Sequence, residues 1–217
     1  MKEHNEPGLL ISFCGLDGCG KSTMISMLNE YLQALGYETF ITIQPTKEFR
    51  RSPAFRTYMD SPDHTAYDYR ALSLAATSDR IQHSNHEILP QLRAGKCVIC
   101  DRYFYSCLAN LRARGYKNDQ WIYEVSEAVP KPDIAFFLDI PVKEALARVR
   151  SRPEERDRYI DVPLQYALRD EYLDICTKND GILIASNLGA DNTFKQVKHS
   201  IDNYFANNKK KGKPTNE

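Results

Sequence analysis

Short apolar runs alternate along the chain with longer stretches in which apolar residues recur at helical spacing, the pattern of a sheet covered by helices. The strand candidates are Leu9–Cys14, Glu38–Ile43, Lys96–Cys100, Ile134–Asp139 and Ile182–Ala185. Several are continuously apolar rather than alternating, as expected of parallel strands buried on both faces. Between them the spacing predicts helices over Lys21–Leu35, Thr65–Arg93, Tyr103–Arg114, Asp119–Ala128, Val142–Arg150, Val162–Lys178 and Asn192–Phe205. Gly36, Gly95, Gly115 and Gly181 fall where these helices should stop. The segment Gln44–Asp63 is richer in Pro, Arg and aromatic residues than a plain crossover requires, which predicts that it builds part of a site.

At 217 residues the chain suits one α/β domain, assigned to 1–206, followed by a basic tail over 207–217 that has little to bury and is expected to be disordered. Lys plus Arg and Asp plus Glu are equal at 29 each, so gross charge gives no reason to expect nucleic acid or an anionic membrane as partner. Any anion site must be local. Met1–Gly8 is polar and carries both charge signs, unlike a signal peptide, and Leu9–Cys14 is too short to span a bilayer. A soluble, cytoplasmic protein is expected. The six cysteines lie mostly in apolar segments, and Cys97 and Cys100, although spaced CxxC, fall on one predicted strand and read as inert buried thiols.

The sharpest chemical signal is Gly15-Leu16-Asp17-Gly18-Cys19-Gly20-Lys21-Ser22-Thr23, which satisfies G-x-x-x-x-G-K-[ST] between a predicted strand and a predicted helix. In such a loop the glycines let successive N–H groups turn inward toward phosphate oxygens, and the helix start adds partial positive charge. Lys21 then reaches the β/γ-phosphates, and the Ser22 hydroxyl suits a Mg²⁺ ion bridging them. The loop names a phosphate site without naming a reaction.

Three further groups point to an acceptor. Asp17 places a carboxylate inside an anion loop, which is costly unless a metal, an arginine or a hydroxyl meets it. Asp101-Arg102-Tyr103 follows a strand at the carboxyl edge of the sheet, where open α/β folds bind ligands; Asp101 suits Mg²⁺ held through water, and Arg102 a second phosphate. The segment Arg148–Tyr159 carries five arginines within eleven residues, which suits a lid over about 150–160 that neutralises charge on a transferring phosphoryl group. Arg80 and His83 lie in the middle of the long predicted helix. Periodicity alone favours a solvated Arg80, and it reads His83 and His86 as surface histidines.

Taken in order, F-x-G-x-D-G-x-G-K-S-T over Phe13–Thr23, Asp79-Arg80 with Gln82-His83, Gly95–Tyr103 ending in D-R-Y, Pro132–Asp139, the arginine-rich segment and Leu168–Tyr172 resemble the thymidylate kinase family, up to about Phe205. The resemblance implies a P-loop three-layer α/β/α fold with five parallel strands. It also implies Mg-ATP as donor, a nucleoside monophosphate as acceptor and a homodimer packed through helices. Gly15, Gly18, Cys19, Gly20, Lys21, Ser22 and Thr23 with Arg148 and Arg152 would then serve ATP, and Ser22 and Asp101 the metal. Asp17, Lys47, Arg80, Arg102, Tyr103, Cys107 and Asn110 would serve the acceptor. Lys21, Asp17, Arg102 and Arg158 would be catalytic.

The sequence departs from that family where the base should bind. Ala76 stands where an aromatic residue usually stacks, Cys107, Asn110 and Leu111 replace groups that read the base and sugar, and Gln44-Pro45-Thr46-Lys47 replaces an Arg-Glu-Pro-Gly type of loop. A kinase of the same scaffold acting on a different or modified nucleotide therefore stays open beside thymidylate, as does a nucleotide-binding switch with no small acceptor. On the transfer reading, we expect Lys21→Ala to abolish phosphoryl transfer while the circular dichroism spectrum stays that of the wild type. Retained transfer would remove the role given to Lys21.

Overall fold

The structure is a computed structural model that describes residues 1–60, 63 and 66–208. Among them, five strands form one parallel sheet: β1 (Leu9–Gly15), β2 (Thr39–Ile43), β3 (Cys97–Asp101), β4 (Ile134–Asp139) and β5 (Ile182–Ala185), in the order β2-β3-β1-β4-β5. The predicted strands appear within a residue of their expected bounds because each is a short apolar or β-branched run; the three central ones are buried almost throughout, while the edge strands β2 and β5 stay partly exposed. All seven residues of β1 are buried. Helix α1 (Lys21–Ala34) lays Met24, Leu28 and Leu32 into the core, and α9 (Val162–Lys178) adds Leu168 and Ile175. Phe13 of β1 and Phe136 of β4 pack with ring centroids 5.0 Å apart.

The chain leaves β1 toward β2 and β3 on one side and later returns to β4 and β5 on the other, so the sheet's connectivity reverses at β1. Ligands in open α/β sheets bind outside the carboxyl ends of strands at such a point. Register makes this concrete, because Phe13 of β1 lies opposite Asp101 of β3. The loop after β1 and the Asp101-Arg102 turn after β3 are thereby neighbours.

The predicted long helix is interrupted. Its expected start, Thr65, lies outside the described residues. The helix α4 runs Tyr69–His83, and the Asp68 side chain accepts from the Arg70 N–H at its first turn. The chain then widens into one π turn over Ser84–Ile88 before α5 (Leu89–Arg93). Pro90 follows directly and has no N–H to give to the preceding turn, a local reason for the change of winding. The site-building segment contributes two short helices, α2 (Lys47–Arg50) and α3 (Pro53–Asp60). Then come α6 (Phe104–Ala113), α7 (Trp121–Ser126) and α8 (Val142–Arg150). The last helix, α10 (Ala190–Asn207), takes up the first residue of the expected tail. Residues 209–217 of that tail lie outside the described ones.

Cys97 and Cys100 are fully buried on β3, and burial pushes the Cys97 thiol up to about 12. All six cysteines are free and buried. Among the described residues no helix is long and apolar enough to cross a membrane. The phosphate loop is fixed by close packing on α8. Gly18 has φ +83°, and a Cβ there would collide with the Ala145 carbonyl oxygen. We expect Gly18→Ala to destabilise the fold by roughly 2 kcal/mol or more, the cost of a non-glycine left-handed residue plus that collision. Thermal melts check this, and an unchanged melting temperature would show that the loop can shift away from α8.

Candidate active site

The loop from Gly15 to Gly20 ends at Gly20, whose φ of +94° turns the chain into α1. Lys21 is buried, and its ammonium donates to the carbonyls of Leu16 at 2.8 Å and Gly15 at 3.2 Å, with the Cys19 thiol at 3.7 Å. The lysine is thus folded over its own loop. Ser22, on the first turn of α1, shares a surface depression with Asp101 and Lys47. Asp101 Oδ1 is buried with no hydrogen-bond partner among the described residues. A buried carboxylate oxygen without a partner is costly, and together with the Ser22 hydroxyl in the same depression it would offer oxygen donors of the kind that hard divalent cations take.

Arg102 has φ +63°, an uncommon conformation for a non-glycine residue, and its N–H donates to the Phe13 carbonyl at 2.9 Å. Its guanidinium reaches back over β1. Nη1 donates to the Gly15 carbonyl at 3.0 Å and to the Tyr172 hydroxyl at 3.2 Å, and Nη2 pairs with Asp17. Asp17 also accepts from Arg158 at 2.9 Å. The positive charge of Arg102, then those of Lys21 and Arg158, hold the Asp17 carboxyl far below the usual carboxylate range in spite of burial. Burial alone would lower Arg102, but Asp17, Tyr172 and Asp101 reverse that and raise it.

These groups stand at one end of a cavity of about 310 Å³. Arg50 of α2 borders the same end, donating to Pro45 O at 2.9 Å and Gln44 O at 3.3 Å; burial and the nearby Arg102 charge lower it to about 10, so it stays protonated at neutral pH. The other end lies between α4 and α6. Tyr69, Ser73, Ala76 and Arg80, spaced four, three and four apart, form the α4 wall, and Cys107, Asn110 and Arg114 face the cavity from the α6 side. Arg114 stacks over the Tyr69 ring at 4.0 Å, donates to Asn110 O and Oδ1 at 3.1 and 2.8 Å, and reaches the Tyr58 hydroxyl of α3 at 3.1 Å. Phe55 of α3 also borders the cavity.

Arg80 is 2% exposed, so the solvated reading fails: packing of α4 against α6 turns its face inward. Its Nη1 donates to Ala76 O at 2.7 Å, and its Nε is buried without a partner. His83 is buried rather than on the surface, sitting 2.8 Å from Thr42 Oγ1 and 3.1 Å from Gln44 Nε2. With the amide of Gln44 donating, Nδ1 accepts and the ring proton sits on Nε2. His86 is exposed, as expected. Asp79 in turn accepts from the Thr46 N–H at 2.8 Å, so α4 holds the loop that presents Arg50.

Over the loop, Arg148 donates to the carbonyls of Ser186 at 3.2 Å and Gly18 at 3.5 Å. Arg150 gathers the carbonyls of Glu155, Arg156 and Arg158 with one Nη1, closing the arginine-rich turn on itself. Arg152 is exposed. Lys47 does not border the acceptor-sized cavity, because the turn of α2 sends it to the Ser22–Asp101 side and Arg50 to the cavity. Tyr103 does not border it either; it is fully buried and donates to Pro130 O at 2.7 Å.

The sequence model of thymidylate kinases matches residues 13–201. The chain belongs to the thymidylate kinase family. It is 39% identical over 168 residues to a probable thymidylate kinase of Pyrococcus horikoshii, covering 76% of this chain and 82% of that one. Identity to the thymidylate kinase of Desulfotalea psychrophila is 38% over 156 residues, 71% and 75% of the two chains. A probable thymidylate kinase of Staphylothermus marinus is 31% identical over 201 residues, 93% and 97% of the two.

Within this thymidylate kinase family member, the residues that depart from the pattern occupy distinct places. Ala76, Cys107 and Asn110 border the cavity, whereas Leu111 is a fully buried core residue. Aromatic surface comes instead from Tyr69, Phe55 and Tyr159. Arg50, Tyr69 and Arg114 were not singled out from sequence. Arg50 lay in the segment expected to build a site, but spacing could not choose between it and Lys47. Tyr69 and Arg114 sit at helix ends, where no motif marks them.

The burial of His83 yields a pH dependence. Burial lowers its pKa, opposed by Glu87 and Asp79. With the folded value below the unfolded value of about 6.5, the unfolded chain takes up the proton first as pH falls. Stability from the neutral ring is therefore complete above about pH 6.5 and declines below it. We expect the wild-type melting temperature to fall more steeply between pH 7 and 5 than that of His83→Gln. Parallel slopes would show that the folded protein accommodates the imidazolium.

Proposed function

We propose that this protein transfers the γ-phosphoryl group of ATP to the phosphate of thymidylate or a closely related nucleotide, yielding the nucleoside diphosphate and ADP. The observation that carries this reading is the shared Gly15 carbonyl. Lys21, from the donor loop, and Arg102, from the turn after β3, both donate to that one oxygen. Two anion-binding cations thus stand one carbonyl apart, and a cavity sized for a small ligand opens beside them.

On this reading the N–H groups of Gly18–Thr23 and the Lys21 ammonium hold the ATP phosphates, while Arg102 and Arg50 hold the acceptor phosphate. An acceptor oxygen attacks the γ-phosphorus as the bond to the β-phosphate oxygen breaks. The nucleophile is already ionised near neutral pH, since a phosphate monoester has a second pKa of about 6, so no general base is needed. Asp17 keeps Arg102 and Arg158 in place before substrate arrives, and phosphate oxygens then take up the same donors. Arg158, Arg148 and Arg152 neutralise charge that spreads over the equatorial oxygens in the transition state, the term that dominates phosphoryl transfer. Ser22 and Asp101 would hold a Mg²⁺ ion, whose positive charge would offset that of the ATP phosphates when bound. Arg80, with its unpartnered Nε, and Asn110 with Cys107 border the place of the nucleoside. The homodimer and the cytoplasmic location belong to the same proposal, on family likeness.

Ala76 favours a second reading, in which the same chemistry serves a modified nucleotide. Steady-state assays with Mg-ATP and a panel of nucleoside monophosphates separate the two. We expect acceptor-dependent ADP release, with thymidylate among the best acceptors. We expect Arg102→Ala to lower kcat/KM for the acceptor by roughly 10- to 150-fold, the loss of a charged hydrogen bond, while ATP binding measured by calorimetry changes little. ADP release indifferent to any acceptor would instead favour a nucleotide-binding switch.

A further inference from the structure

At two positions that border the cavity, helix α4 carries a buried polar atom that no group among the described residues satisfies. Ser73 is 2% exposed and its Oγ is buried without a hydrogen-bond partner. Arg80, two turns on along the same face, is in the same condition at Nε. The neighbourhood of Ser73 is otherwise complete: its carbonyl receives the Thr77 hydroxyl at 2.8 Å and the Cys107 thiol at 3.9 Å. A buried hydroxyl left unpaired costs on the order of 1–3 kcal/mol, and an alanine at this position would avoid it. A serine held there at that cost is explained if a bound molecule supplies the missing partner.

The space beside it supports this. Ala76 and Cys107, both small, border the cavity next to Ser73, so the walls leave room on this side where a ring at position 76 would fill it. A bare methyl group placed against Ser73 would leave the hydroxyl unpaired. A substituent that donates or accepts a hydrogen bond would satisfy it and use the extra room. Sites with buried polar groups discriminate strongly against ligands that leave those groups unmatched.

We propose that Ser73 is a specificity-determining residue that hydrogen-bonds an uncharged polar exocyclic group, a hydroxyl or amino function, on the pyrimidine ring of the acceptor. The site then takes hydroxymethyl- or amino-substituted pyrimidine deoxynucleoside monophosphates at least as well as thymidylate. The inference rests on the phosphoryl-transfer function proposed above and narrows its acceptor class.

The test measures kcat/KM for dTMP, dUMP, 5-hydroxymethyl-dUMP, dCMP and 5-hydroxymethyl-dCMP, using the full chain with Mg-ATP, in wild type and Ser73→Ala. The expected result is that at least one polar-substituted acceptor matches or exceeds dTMP in the wild type. In Ser73→Ala its kcat/KM relative to that of dTMP falls about tenfold, as for one lost hydrogen bond to a neutral group. Thermal melts without ligand give a second readout: removing an unsatisfied hydroxyl should leave the melting temperature of Ser73→Ala equal to or above that of the wild type, whereas a structural serine would lower it. An unchanged ratio, or a wild type that prefers dTMP over every polar-substituted acceptor, overturns the role of Ser73 while leaving the kinase reading intact. A wild type that phosphorylates none of the five overturns both.

Discussion

The site depends on the pairing of β1 with β3. Phe13 lies opposite Asp101, and the N–H of Arg102 closes onto the Phe13 carbonyl in a left-handed turn. A shift of that register by one residue would reverse which faces of β3 are buried and would carry Asp101 and Arg102 away from the phosphate loop. The core prevents the shift, because all of β1 and Cys97–Cys100 of β3 are buried between helices. Packing of apolar residues thus fixes which polar ends of the two strands stand side by side. A non-glycine residue at positive φ costs roughly 1–3 kcal/mol, and the surrounding contacts hold Arg102 there. The strain has a visible effect, since the turn aims the guanidinium back over Gly15 instead of outward along α6.

Charge is arranged around the same point. Lys21, Arg50, Arg102 and Arg158 gather near Asp17, which is the acidic side chain paired directly with two of them. Like charges at such spacing repel, and burial sharpens the repulsion, as the lowered Arg50 shows. Asp17 offsets part of this and holds Arg158 and Arg102 in one place. A ligand carrying several phosphate oxygens would offset much more. The free protein is therefore organised as a preformed complement to negative charge, with its donors already oriented.

The supports lie one layer out. Asp79 ties the Thr46 turn, His83 ties Thr42 and Gln44, and that combination presents Arg50 from a helix of only four residues. At the far end Arg114 joins α6 to α3 and α4 through Asn110, Tyr58 and Tyr69. The cavity is thus bordered by long helices and by the short α2 and α3, the latter tied down by side-chain hydrogen bonds, while the glycine-rich loop is set by backbone and strand.

This difference accounts for what could be read in advance. The five strands, the order of helices, the phosphate loop and the D-R-Y turn were legible because each is local: an apolar run, a 3.6-residue period, or a motif whose spacing is its geometry. The burial of Arg80 and His83 and the placing of Arg50 rather than Lys47 at the cavity were not, because each depends on which face of a helix the rest of the fold covers; the π turn was not either, because Pro90 removes a donor without saying how the preceding turn rewinds. Sequence by itself determined the fold class, the family and the position of the glycine-rich loop between β1 and α1. Only the tertiary structure decided which side chains border the cavity and which of their polar atoms lack a partner among the described residues, since those facts arise from α3 and α4 meeting α6 and α9, which lie much further along the chain.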